Sequence, residues 1–275
     1  MSHDGGPAFF MFPLVSQRVN AERIVVLGWP RAILMQLAHP LVAAGVADHS
    51  SFRTSRVTAV KRLHYTIRAM LALTFGDDQG RRTALEGIRT IHRRVNGTLR
   101  HATGIFPAGT RYSAEDPDLV LWVHATLLET LPLVYGLLVG PMTPGERDAY
   151  CAEAAPVAID LGARPADVPR TWTETSNYLA RMYAAGAIAV GRDGMDLQAA
   201  VLSPLGAIAA PAAWMNRLLT VGLLPSPIRA QYGWTWSDRD ARSFRGLTTA
   251  IRAGRRLAPA PVALWPEARR VSSRT

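Results

Sequence analysis

The segment from Leu119 to Tyr135 is apolar around nearly the whole circumference of a helix. A helix with this pattern has no side suited to water, so other elements must cover it all round. His124 and Glu129 are its main polar exceptions, and Pro132 predicts a kink near its end. The sequence therefore predicts a bundle built around this segment as its central helix.

The rest of the chain reads as helix almost throughout from Glu22 onward, because apolar residues recur at helical spacing and alternating strand patterns are almost absent. Breakers such as Pro40 and Gly76 fall where helices are expected to end. Ser113 stands three residues before Asp116 and resembles a capping box. The predicted helices are Ala21–Leu27, Arg31–Ala38, Thr58–Phe75, Arg82–Arg100, Asp116–Leu138, Pro144–Leu161, Trp172–Ala185, Pro211–Leu223 and Asp238–Ala253. This pattern predicts an all-α fold, a single-domain helical bundle.

Charge is concentrated near the C-terminus of this 275-residue chain, whose formal net charge is +10. From Arg239 to Thr275 nine arginines stand against Asp240 and Glu267. No aromatic-interleaved groove accompanies them, so no nucleic-acid partner is expected, and at most a weak contact between the tail and an anionic membrane surface. We expect an N-terminal arm over residues 1–20, a helical domain over 21–256 and a basic tail over 257–275.

The sequence bears on the cellular compartment only through signals that it lacks. A single cysteine, Cys151, excludes an internal disulfide and any metal site built from several cysteines. The apolar run from Leu131 to Met142 is too short to span a membrane and contains a proline and two glycines. The N-terminus shows no basic region followed by an apolar core, which a secretory signal requires. The sequence thus predicts a cytoplasmic protein.

His92 is the residue that most directly indicates chemistry. On a helical wheel it lies inside an apolar stripe, and the opposite side of the same helix is charged. The stripe comprises Ala84, Leu85, Ile88, Ile91 and Val95, and the charged side comprises Arg82, Glu86, Arg93 and Arg94. An unpaired buried polar group costs about 1–3 kcal/mol. The imidazole is therefore expected to be hydrogen-bonded, catalytic or bound to a metal.

Several chemistries lack the residues they need. There are no Glu-x-x-His pairs for a di-iron carboxylate site, and HExxH, GxSxG, P-loop and GxGxxG motifs are missing. Haem remains the best fit, since one imidazole in an apolar helical pocket is enough to hold its iron.

Four blocks of sequence, taken together, carry a family resemblance. They are Leu34–Arg53, Thr74–Asp77, Ile91–Gly97 and Asp116–Thr126. In order and spacing they resemble the superfamily of the latex-clearing rubber oxygenases and the mycophenolic-acid pathway oxygenase MpaB, from about residue 23 to 256. The resemblance implies an all-helical haem b protein with a globin-like core and oxygen-dependent chemistry. The chain is shorter than its rubber-cleaving relatives, which argues against polyisoprene as substrate.

The resemblance also implies roles for individual residues. The proximal iron ligand of the family corresponds to His92, and the arginine three residues earlier corresponds to Arg89. The distal Arg-x-x-Lys-Thr motif corresponds to Arg62-Leu-His-Tyr-Thr66, so Arg62 and Thr66 are kept while Tyr65 replaces the lysine. We therefore expect Arg62, Tyr65 and Thr66 to carry catalysis and the distal iron position to be open. Tyrosinate ligation by Tyr65, or closure by His64 or Lys61, are the alternatives.

His39 and His124 are further candidates for cofactor contacts. For His39 the alternative is capping of backbone groups at the helix end before Pro40, and for His124 it is pairing with Glu129. Asp48 and His49, within the first family block, are candidates for a general base.

The leading functional hypothesis is a haem b-dependent oxygenase or oxidase that acts with O2 on a small hydrophobic substrate, terpenoid or another secondary metabolite. One alternative is a haem-binding sensor or carrier without turnover. Another is a cofactor-free helical protein that keeps the fold, with His92 in a structural role.

Overall fold

The computed structural model describes residues 12–49, 56–203 and 210–272, with the side chains of residues 56–63 and Ala210 outside the description. Nearly all the regular structure in these ranges is helical, which confirms the predicted all-α fold. The elements are α1 Val15–Ala21, a 3-10 helix Arg23–Gly28, α2 Trp29–Leu37, α3 Pro40–His49, α4 Arg56–Phe75, α5 Asp78–His92, β1 Asn96–Thr98, β2 Arg111–Ser113, α6 Pro117–Leu138, α7 Pro144–Asp160, α8 Trp172–Ala184, α9 Arg192–Leu202, α10 Ala210–Leu223, α11 Ser226–Gln231, α12 Asp238–Leu257, α13 Ala260–Ala263 and α14 Pro266–Ser272.

Helix α6 lies at the centre of the bundle, as its apolar circumference predicts. It packs against α2, the 3-10 helix, α7, α8 and α12, and most of its residues are buried. Gly28 permits the closest of these approaches, because a Cβ atom there would lie 2.6 Å from the side chain of Val134. Pro132 is accommodated within one continuous helix.

The same helix has the length and composition of a membrane span. Within the described ranges it is the only straight helix to meet that test, with a mean hydropathy of 1.4 over an 18-residue window. The pair Arg23–Leu37 and Pro40–His49 meets it only when both parts are counted together across a 107° bend. Because 61% of the α6 window is buried inside the protein, its apolar surface is already covered by neighbouring helices.

The predicted helix Arg82–Arg100 is wrong in its second half, because α5 ends at His92 and a short antiparallel hairpin follows. The hairpin pairs Gly97 with Tyr112. A Cβ atom at position 97 would lie 2.5 Å from the Tyr112 hydroxyl oxygen, so the glycine is required by a tertiary contact. The capping box is also misplaced: Ser113 ends β2, and Asp116 caps α6 by accepting from the Asp118 amide at 2.9 Å.

Within the described residues, helix α1 and the segment after α12 pack onto the bundle. Helix α1 lies inside the expected arm, and Leu264 of the expected tail is buried. The Trp265 amide donates to the Ala21 carbonyl oxygen at 3.0 Å. Arg255 forms a two-pronged ion pair with Glu22, with both N–O distances at 2.5 Å. The tail is held in place because its apolar residues cover α1.

Arg31 is buried at the junction of three helices, with only 2% of its side chain exposed. From α2 it donates to the Thr130 hydroxyl at 2.5 Å and to the Glu129 carboxylate at 2.7 Å, both on α6. Its Nε donates to the Leu223 carbonyl oxygen at the end of α10, at 2.8 Å. Arg31 is thus the described partner of Glu129, and none of the described contacts joins Glu129 to His124.

We predict that Arg31→Met lowers the free energy of unfolding by about 3 kcal/mol, since removing one partner of a buried ion pair leaves the other charge and two oxygen acceptors unsatisfied. Urea unfolding followed by circular dichroism measures this loss. Arg81→Met is the control, because the pair of Arg81 with Asp160 is about one third exposed and is expected to contribute less than about 1 kcal/mol. Equal losses in the two variants would contradict the central role of Arg31.

Candidate functional site

Helix α5 presents His92 in its last turn. The helix begins where the Asp77 carboxylate accepts from the Gly80 amide at 2.8 Å. Arg81 pairs with the Asp160 carboxylate at 3.0 Å, and Nε of Arg89 donates to the Asp160 carbonyl oxygen at 3.0 Å. Both arginines thus fasten α5 to the C-terminal end of α7. Arg89, expected at the cofactor, is exposed and serves this structural contact in the described structure.

His92 itself is half-buried, and its Nδ1 atom is fully buried without a hydrogen-bond partner. Burial lowers the pKa of His92, and the Glu115 carboxylate opposes this only in part. The imidazole is therefore neutral near pH 7, which is the form that binds metals. The stripe around it is less enclosed than expected: Leu85 is buried, whereas Ile91 is 63% exposed.

His124 is a second imidazole with an unsatisfied nitrogen. It is buried on α6, its Nε2 atom has no hydrogen-bond partner, and burial lowers its pKa to about 4. Leu128 and Leu131 lie on the same side of α6, one and two turns later. Ile67 and Met70 of α4 pack against the cluster that contains these leucines. His124 is thus a neutral nitrogen donor on the same side of α6 as Leu128 and Leu131.

His39 is also buried, but its Nδ1 atom has a hydrogen-bond partner two residues along the chain. Its Nδ1 atom accepts from the Leu41 amide at 3.3 Å, at the start of α3. The ring packs between those of Phe106 and Trp122, with centroid distances of 5.2 and 6.3 Å. Burial lowers the pKa of His39 to about 4. Of its two expected roles, the described contacts support backbone capping.

Asp48 and His49 join α3 to the hairpin. One Asp48 oxygen accepts from the Tyr112 hydroxyl at 2.6 Å, and Arg100 pairs with the other. Nε2 of His49 lies 2.9 Å from the Asn96 carbonyl oxygen. Burial and the Asp48 carboxylate raise the pKa of Tyr112. Because both residues are engaged in these contacts, the described structure does not favour either as a general base.

The distal candidates lie on α4. Tyr65 is 69% exposed and contacts the His64 ring edge-on at 6.2 Å, and Thr66 is exposed as well. Arg62 lies on the same helix, with its side chain outside the described part. Among the described contacts none joins Tyr65 to His92. Helices α4 and α5 follow one another in the chain and pack together. The described contacts do not bring Tyr65 or Thr66 next to His92.

A surface cleft of about 520 Å³ was not anticipated from the sequence. It lies between the loop at His101 and the start of α9, where Arg192 and Met195 line it. None of the predicted site residues contributes to its lining. The polar loop that forms one wall carries no periodic pattern, so the sequence offers no signal for this cleft.

The nitrogen donors of the site suit a cofactor that brings its own ligands. Within the described ranges no group of three or more His, Cys, Asp or Glu residues is arranged to hold a metal ion. A haem iron needs only one protein imidazole. The unsatisfied nitrogens of His92 and His124 provide two such donors, so the residues present fit a haem.

The comparisons with known proteins define the class. A family model described as the catalytic domain of the ER-bound oxygenase mpaB/B' and rubber oxygenase matches residues 17–253. The chain belongs to this oxygenase family, which confirms the resemblance inferred from the sequence blocks.

Two mycobacterial relatives are similar over most of their length. An uncharacterized protein of Mycobacterium tuberculosis is 26% identical over 242 residues, covering 82% of this chain and 87% of its own length. An uncharacterized protein of Mycobacterium bovis matches with the same identity and coverage. No solved structure matches the chain.

We predict that acid weakens the haem-free protein between pH 6.5 and about 4. Folded His39 and His124 stay neutral down to about pH 4, whereas in the unfolded chain they take up protons below 6.5. The unfolded state then binds more protons, so the free energy of unfolding falls as the pH falls. The loss is at most about 3 kcal/mol for each histidine.

Urea unfolding at a series of pH values measures this slope. His124→Leu is expected to reduce it by about a third to a half, since His39 and, to a smaller extent, the half-buried His92 contribute as well. His101→Leu, at an exposed position, is the control and is expected to leave the slope unchanged. A slope that is the same in wild type and His124→Leu would show that His124 is not held neutral by the fold.

Proposed function

We propose that this protein is a haem b-dependent oxygenase that acts with O2 on a small hydrophobic substrate, of a terpenoid or other secondary-metabolite type. The observation that carries the proposal is the buried, unpartnered Nδ1 of a neutral His92 in a chain of the oxygenase family. A neutral imidazole at the end of a helix is the ligand that a haem iron requires from the protein.

Haem, when bound, supplies the redox chemistry with dioxygen that the side chains of this chain lack. In the proposal His92 holds the iron, and α5 is kept in place by the contacts of Arg81 and Arg89 with Asp160. Leu128 and Leu131, on the same side of α6 as His124, belong to an apolar cluster that excludes water from that side of the helix. A dry apolar surrounding suits a hydrophobic substrate and strengthens the electrostatic interactions inside the site.

The α4 residues Arg62, Tyr65 and Thr66 are proposed to supply the polar groups that would act beside the cofactor. Tyr65 has a phenol that donates one hydrogen bond, Thr66 has a hydroxyl that donates or accepts, and Arg62 carries a fixed positive charge. Donors of this kind stabilise negative charge that develops on a reacting oxygen. The family resemblance of the Arg62–Thr66 segment supports this assignment.

A haem-binding sensor or carrier is the second candidate, and His124 is the observation that favours it. A second neutral, buried imidazole nitrogen would be able to hold the haem iron in addition to His92, and this would hinder access by O2. Carbon monoxide binding to the reduced protein separates the two candidates. Rapid binding favours the oxygenase, and slow binding that becomes rapid in His124→Leu favours the sensor or carrier.

We predict that the purified protein reconstituted with haemin shows a Soret band that is lost or strongly shifted in His92→Ala. The imidazole supplies the iron–protein bond, so its removal leaves haem bound only through apolar contacts. His101→Ala is the matched control, because His101 is exposed. Identical spectra for wild type and His92→Ala would refute the ligand assignment, and the absence of haem binding by wild type would favour the cofactor-free alternative.

We predict that Tyr65→Phe scarcely changes the ferric spectrum and that imidazole binds quickly to the wild-type haem protein. A phenol has a pKa near 10 and is a poor ligand while protonated. The absorption spectrum of the ferric protein measures the first effect, and stopped-flow absorbance with imidazole measures the second. A large spectral change in Tyr65→Phe would indicate tyrosinate on the iron, and slow, saturable imidazole binding without a Tyr65 effect would indicate another side chain in that position.

A further inference from the structure

Helix α12 has one face that is packed and one that is exposed. On the packed side, Phe244 contacts the Trp236 ring at 6.0 Å and leaves room only for glycine at position 222. The exposed side has a net charge of +3, because the exposed Asp238 at the first position of the helix falls in the same third of the circumference as four exposed arginines. The arginines are Arg239, Arg242, Arg245 and Arg256. We refer to these four residues, with Leu257 and Val262, as the α12 surface.

The charges of this surface are not neutralised within the described residues. Arg242, Arg245 and Arg256 are exposed and form no ion pair there, in contrast to Arg255, which is paired with Glu22. The nearby Asp240 carboxylate is engaged by the amide and hydroxyl of Ser237 at the start of the helix. With Asp238 counted against the four arginines, a net of three positive charges projects from one side of α12.

Exposed apolar side chains stand at the end of α12 and on the short helix α13 that follows it. Leu257 is 86% exposed, the largest exposed fraction among the large hydrophobic residues of the described chain, and Val262 on α13 is 60% exposed. Leu257 falls within the arc of the arginines, directly after Arg256. Exposed aliphatic residues next to unpaired arginines are typical of helices that rest at a membrane interface.

We propose that the α12 surface docks on an anionic lipid bilayer. The arginines meet the lipid phosphates, while Leu257 and Val262 enter the region between the headgroups and the acyl chains. A second copy of the chain fits less well, because a two-fold axis through this surface would bring arginines against arginines. A nucleic acid would satisfy the arginines but would leave both aliphatic side chains in water.

Sedimentation of the full-length protein with lipid vesicles tests this proposal. We expect binding to vesicles of equimolar phosphatidylcholine and phosphatidylglycerol, a marked loss of binding at high salt, and little binding to phosphatidylcholine alone. The variant Arg242→Glu/Arg245→Glu/Arg256→Glu is expected to lower the partition coefficient by about a hundredfold or more, since each arginine contributes about fivefold. Leu257→Ser/Val262→Ser is expected to lower it by about tenfold without a change of charge.

Two control variants distinguish an effect of this surface from a general effect of protein charge or of exposed apolar side chains. Arg111→Glu/Arg170→Glu/Arg192→Glu reverses three exposed arginines elsewhere, and Ile105→Ser/Met195→Ser removes two exposed apolar side chains elsewhere. Both controls are expected to bind vesicles nearly as well as wild type. A control that loses as much binding as its counterpart overturns the proposal, as does wild-type protein that binds both kinds of vesicle equally or neither.

Circular dichroism checks that each variant is folded. The single changes Arg242→Gln, Arg245→Gln and Arg256→Gln form a milder set of variants, each with one positive charge removed. A decrease of vesicle binding in each of the three supports the proposal even if the triple reversal unfolds the chain. Loss of duplex DNA binding in the series, with vesicle binding unchanged, would instead assign the surface to a nucleic acid and overturn the bilayer.

Discussion

The position of the central helix α6 depends on one buried arginine side chain, that of Arg31. Arg31 donates to Glu129 and Thr130 on α6 and to the carbonyl end of α10, so a single side chain fixes three helices relative to one another. Because the guanidinium is planar and its donors diverge at fixed angles, these contacts constrain rotation of α6 as well as its distance from α2. An apolar contact of the same area would leave that rotation free.

The rotation of α6 matters because its two sides serve different purposes. One side carries Trp122, which packs on His39, together with Glu129 and Thr130, which hold Arg31. The other side carries His124 together with Leu128 and Leu131 of the apolar cluster. A turn of the helix by one residue would move the imidazole off that side. The ion pair therefore sets which side chain faces the candidate site.

The features that could be predicted from the sequence are those that rest on local pattern. The apolar circumference of α6 places it in the core, and the blocks around His92 identify the family. Arg31 could not be placed, because an arginine on an amphipathic helix ordinarily faces water. The hairpin after His92 could not be predicted from local pattern. Gly97 is required there by its close contact with the hydroxyl group of Tyr112, which lies on the other strand. The exposed position of Tyr65 is equally invisible in a motif match.

His39 and His124 show what the candidate site still requires. Both are buried and neutral, but the Leu41 amide satisfies Nδ1 of His39, whereas Nε2 of His124 and Nδ1 of His92 have no partner. An unsatisfied buried nitrogen costs about 1–3 kcal/mol relative to one that is bonded. Two such costs are large beside the net stability of a domain, about 5–15 kcal/mol. A ligand that bonds either nitrogen binds the folded state alone and stabilises it by mass action. In the proposal, a haem bonded to His92 would remove the cost at that nitrogen and so stabilise the folded state.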